Sequence, residues 1–117
     1  MYTTSFTVKV YNNYAVGYIC QDIVNYYYSL IPKYYYAARQ KHPAHVTIIR
    51  KDIEFGNLEK YDGYRGLLEY DPYCNIDNNY IWLNAYSTDI GKIRQSVGLP
   101  EYRYPFTSYH ITVGNFK

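Results

Sequence analysis

Residues 4–10, TSFTVKV, alternate Phe6, Val8 and Val10 with Ser5, Thr7 and Lys9, and this period of two predicts a half-buried strand. YNNY at 11–14 reads as a turn. Over residues 17–30 the apolar positions Ile19, Ile23, Tyr26, Tyr27 and Leu30 fall at helical spacing, and Pro32 stops the pattern. Residues 33–42, KYYYAARQKH, predict a short strand or loop leading to Pro43. A strong strand follows at 44–50, then a polar loop over 51–64 with Gly56, Asn57, Asp62 and Gly63. Further strands are expected at 66–70 and 79–86, separated by the loop DPYCNIDNN. The best helix is STDIGKIRQSVGLP, with Ser87 or Thr88 as cap, Asp89 at its positive end, Gly98 closing it and Pro100 beyond. Ile90, Ile93 and Val97 supply its apolar stripe, and residues 108–114 form a last strand. Few helices among short strands predict an α+β domain with mostly antiparallel sheet.

Two of these strands carry the same polar pair. HVTII at 45–49 and HITVG at 110–114 each set His-x-Thr inside an apolar run. Alternation points His45 and Thr47 one way and Val46 and Ile48 the other; His110 and Thr112 are likewise backed by Ile111 and Val113. Each His–Thr pair spans roughly 6.6–6.8 Å of strand. If the two strands lie side by side or face each other across a cleft, two imidazoles and two hydroxyls converge. That set suits attack at a phosphodiester: one imidazole accepts a proton and the other donates one, while the threonines steady the non-bridging oxygens. A ribose 2′-hydroxyl could then serve as nucleophile without a metal.

Length and composition bound the reading. At 117 residues the chain is one domain, with 48% hydrophobic and 19% charged residues, as a soluble globular protein has. Nineteen tyrosines stand beside one Trp and four Phe. Tyr, Asn, Ile and Lys rise together under AT-rich coding, so the count alone assigns no function. The net charge of +2, without a basic block, argues against duplex DNA and long RNA. Cys20 and Cys74 are too few and too far apart for a zinc site of recognisable spacing, and the sequence leaves a disulfide open. No signal peptide and no membrane-spanning run is legible, which predicts an intracellular protein. No carboxylate–histidine cluster stands at metal-ligand spacing, and neither metal nor cofactor is expected.

The motifs HVTI and HITV resemble the paired H-Φ-T-Φ signature, Φ being apolar, of the 2H phosphoesterase superfamily. HVTIIRKD, YIWLNAYS, the helix ending IRQSVGLP and YHITVGNFK together look like a small phage-encoded branch of that superfamily, over roughly residues 43–117. The resemblance implies a pseudo-symmetric α+β fold of two lobes, each giving one motif to a central cleft. It implies a metal-independent phosphodiesterase similar to anti-CBASS enzymes, which degrade the cyclic oligonucleotide signals of bacterial immunity. On that likeness His45 and His110 would be the acid–base pair and Thr47 and Thr112 would hold the phosphate. A phage-encoded protein of this kind would act in the host cytoplasm on a cyclic di- or trinucleotide.

Around these motifs stand secondary candidates. Lys51 shares the face of His45 and could hold phosphate, whereas Arg50 points away on strict alternation. Tyr11, Tyr64 and Trp82 could stack on a base, worth roughly 1–3 kcal/mol each. Tyr109 points away from His110 and belongs to the core; His42 reads as a loop histidine; Asn115 and Lys117 close the last strand. Three other functions compete with cleavage of cyclic oligonucleotides. An enzyme of RNA ends would act on 2′,3′-cyclic phosphates or 2′–5′ linkages. A non-catalytic sponge would hold a cyclic nucleotide in the same aromatic cleft, and a structural protein would use its tyrosines as an interface.

Overall fold

Strands dominate because apolar and polar residues alternate through most of the chain. In a computed structural model, which describes residues 1–51, 56, 58–103 and 105–116, the alternation yields β1 (Tyr2–Val10), β2 (Ala15–Tyr18), β3 (Ala38–Arg39), β4 (His45–Ile49), β5 (Arg65–Ile76), β6 (Tyr80–Tyr86) and β7 (Tyr109–Asn115). Two helices, α1 (Gln21–Ser29) and α2 (Thr88–Gln95), complete the regular structure of the described residues, with single 3₁₀ turns at Lys33–Tyr35 and Glu59–Tyr61.

All strand pairings are antiparallel. The order β7-β4-β2-β1-β5-β6 returns to its start because β6 also pairs with β7, so six strands close a single barrel. The short β3 adds to β7 at Ala38↔Asn115 and Arg39↔Gly114. Phe6, Val8, Val46, Ile48, Leu68, Leu83, Ile111 and Val113 are all buried in one continuous core. α1 contributes Val24 and Tyr27 to that core, and α2 contributes Ile90 and Ile93.

This architecture corrects the expected one. A pseudo-symmetric two-lobed α+β fold needs a cleft between separate halves, but a closed ring of strands around one core leaves no halves to separate. Two local expectations also change. The helix expected over 17–30 gives its first residues to β2, where Gly17 passes so close to Phe6 that an added Cβ would stand 2.9 Å from its ring. The loop DPYCNIDNN is strand as far as Ile76, and a register shift between Tyr70 and Cys74 absorbs Pro72 as a bulge.

α2 starts where the sequence places it. Ser87 accepts a hydrogen bond from Ile90 N (3.1 Å) and donates to Leu67 O (2.6 Å), so one hydroxyl caps the helix and ties it to β5. Asp89 accepts from Leu67 N at 2.8 Å, and Gly98 takes the positive φ of 82° that ends this segment. In the polar loop expected over 51–64, residues 52–55 and 57 lie outside the described residues, as do Tyr104 and Lys117.

Candidate functional site

The register of the barrel wall decides where each candidate side chain stands. β4 meets β7 at Val46↔Ile111, and both side chains are fully buried. Continued by one residue either way, that register sets His45 beside Thr112 and Thr47 beside His110, all four on the outer face. On the far side of β7, Trp82 pairs with Thr112 and Asn84 with His110. On the far side of β4, Tyr18 pairs with His45 and Val16 with Thr47. Two cross-strand rows therefore run over the wall: Trp82–Thr112–His45–Tyr18 and Asn84–His110–Thr47–Val16.

Two depressions open on this wall. The first, about 490 Å³, includes Thr47, Thr112, His110 and Trp82 in its lining, together with Arg50, Arg94, Arg103, Phe106 and Asp77. The second, about 420 Å³, includes His45, His42, Tyr14, Tyr18 and Lys51, and shares Thr47 and Arg50 with the first.

In the first depression the aromatic groups are held in place. The Trp82 and His110 rings lie 5.2 Å apart with a 37° tilt, and Phe106 meets His110 edge-on at 5.1 Å. Trp82 Nε1 donates to Asn84 Oδ1 at 3.0 Å, and Ser108 Oγ donates to the same oxygen at 3.2 Å, which fixes the indole plane. The Arg103 guanidinium lies 4.8 Å from the Phe106 ring centre. Burial lowers the pKa of His110, partly opposed by the nearby Asp77 carboxylate, so the imidazole is neutral near pH 7. Asp77 accepts hydrogen bonds from Tyr80 N and Asn79 N, both at 2.7 Å, and these hold it ionised below the usual carboxylate range.

Arg94 is the least expected member. It is only 4% exposed, and among the described residues its hydrogen-bond acceptors are backbone carbonyls: Nη1 donates to Ile48 O at 2.7 Å and Nε to Pro100 O at 2.8 Å. Burial lowers its pKa, yet a guanidinium starts high enough to stay charged. Its signal was present in the sequence, because Arg94 stands four residues after Ile90 on the apolar stripe of α2. Arg50 was assigned to the opposite side by alternation; β4 ends at Ile49, so Arg50 no longer follows the pleat and borders both depressions.

The secondary candidates divide. Trp82 lines the first depression and Lys51 the second, its Nζ 5.0 Å from the Tyr14 ring centre. Tyr11 lines neither; it stacks on Tyr14 at 4.5 Å and shares a 2.6 Å hydroxyl contact with Tyr18, whose pKa that contact pushes up to about 12. Tyr64 packs edge-on against Tyr61, away from both depressions. Tyr109 is buried, as its place in the strand predicts. His42 approaches His45 edge-on at 6.4 Å. Cys20 and Cys74 are exposed free thiols.

Two-histidine catalysis requires both imidazoles to converge on one phosphorus. Here His110 lines the first depression and His45 the second, so the two imidazoles open into different depressions. His45 Nδ1 donates to Pro43 O at 2.7 Å, which fixes the ring and leaves Nε2 facing the second depression. Among the described residues no group of three or more His, Cys, Asp or Glu side chains could hold a metal ion. No protein-family model, curated protein or solved structure matches the chain. The resemblance to 2H phosphoesterases therefore fails on architecture. With it go the hydrolase assignment, the acid–base roles of His45 and His110, and the cleavage of 3′–5′ bonds in anti-CBASS fashion.

Among the described residues no helix is long and apolar enough to cross a membrane.

Proposed function

We propose that the protein is a non-catalytic binder of a small nucleotide, of the cyclic mono- or dinucleotide class, on the outer wall of its barrel. The observation that carries this reading is the first depression, where Trp82 and Phe106 flank His110 beside Arg50, Arg94 and Arg103. Its volume of about 490 Å³ is that of a small-ligand site. A base stacks on Trp82, the phosphate meets the guanidinium groups, Thr47 and Thr112, and the fixed Asp77 carboxylate accepts from base N–H groups. The net charge of +2 favours such a compact ligand over a long polynucleotide, which would need a tracking basic groove.

Calorimetric titration with a cyclic mononucleotide, a cyclic dinucleotide and a short RNA bearing a 2′,3′-cyclic phosphate tests the reading. Saturable binding of a cyclic nucleotide is expected, with the ligand recovered intact by mass spectrometry. Trp82→Ala should weaken binding about tenfold, the loss of one stacked base. Absence of binding across the panel overturns the proposal, and conversion of ligand to a linear product overturns its non-catalytic character.

A further inference from the structure

A third concavity, of about 620 Å³, lies between α1, the start of β1 and the bulge of β5. Tyr27 and Tyr70 form its floor, 6% and 9% exposed, with rings 6.3 Å apart and nearly perpendicular. Tyr2 extends the line, 5.9 Å from Tyr70, and Tyr26 continues it from Tyr27 at 5.0 Å. The β5 bulge throws Tyr73 outward to 73% exposure as a wall. An exposed aromatic surface of this extent marks a place of contact.

Its polar chemistry is selective. Among the described residues the hydroxyls of Tyr27 and Tyr70 have no protein hydrogen-bond partner, and no buried side-chain polar atom is left unsatisfied, so both hydroxyls open onto the groove. Burial raises both pKa values, so they remain protonated donors. Asp22, in the first turn of α1, is the only charged side chain among the described lining residues.

We infer that this groove docks a proline-rich peptide segment in the polyproline II conformation, with a basic residue at the Asp22 end. Such a segment has rigid apolar rings to lay between aromatic ridges, and its carbonyls have no internal partners and accept from tyrosine hydroxyls. A cation beside the peptide completes Asp22. The same carboxylate repels a nucleic acid or an anionic membrane. An isologous pairing of the groove with itself would bring two Asp22 side chains into one apolar interface.

The test uses fluorescence anisotropy with a labelled peptide of alternating proline and leucine residues, carrying arginine at one end. Saturable binding is expected in the range of about 10–100 μM, and Tyr26→Ala or Tyr73→Ala should weaken it about tenfold. Both side chains are largely exposed, so both variants should keep the circular dichroism of the parent. Asp22→Asn should weaken binding of the arginine peptide about threefold and leave an uncharged version unaffected. Equal binding of a peptide with alanine in place of every proline, or none at millimolar concentration, overturns the inference. A dimer seen by sedimentation and abolished by Tyr73→Ala overturns it as well, assigning the groove to a second copy.

Discussion

His110 is a neutral imidazole in an arginine-lined depression, and the direction of its pKa shift makes the site pH-sensitive. Burial lowers its pKa in the folded chain relative to the unfolded one. Its contribution to stability is therefore complete above about pH 6.5, the unfolded value, and is lost as the pH falls through the folded value. Urea midpoints between about pH 7.5 and 5 should fall on the acid side, and His110→Asn should flatten that fall. Ligand has the opposite preference, because a phosphate beside the ring favours the imidazolium. Affinity for a cyclic nucleotide should rise as the pH is lowered over the same range, with proton uptake on binding, and His110→Asn should abolish the rise. A pH-independent affinity in the parent protein would place the phosphate away from His110.

The elements were legible in proportion to how local their causes are. β1, β4, β6 and β7 follow from alternation alone, and α2 from Ser87, Asp89 and Gly98. β2 was not, because AVGY is short, runs into a helix at Cys20 and is a strand only through its neighbours β1 and β4. β5 was cut short at Tyr70 because Asp71 and Pro72 carry turn chemistry, which the bulge accommodates. Gly66 shows the same dependence on distant partners. An added Cβ there would stand 2.5 Å from Phe6 Cζ and 3.1 Å from Asp89 Cβ, with Phe6 buried and unable to yield. Gly66→Ala should destabilise the protein by about 1–3 kcal/mol in urea unfolding, the cost of overpacking where β1 crosses β5. An unchanged midpoint would mean that the two strands can separate without loss.

At the scale of the whole molecule, the repeated His-x-Thr has a structural cause. β4 and β7 are adjacent staves of one barrel, each burying Val or Ile inward and turning His and Thr outward, so one constraint writes similar words twice. The sequence displayed those words but not the closure that sets them side by side, because Val46 and Ile111 are far apart in the chain. That closure is also the narrowest joint of the barrel: β4 and β7 share a single register pair, whereas β6 and β7 are paired from Tyr80↔Asn115 to Ala85↔Tyr109. Local opening should begin there, so the amides of β4 should exchange with deuterium faster than those of β5 facing β1. The proposed ligand touches Thr47 on one stave and His110 and Thr112 on the other, and so bridges the joint. At about 100 times its dissociation constant, a ligand lost on opening slows that opening about a hundredfold. Exchange mass spectrometry should find this slowing concentrated in segments from 45–49 and 109–115. Equal slowing in every strand would show that the joint opens only with the whole barrel, and no slowing in these segments would place the ligand elsewhere.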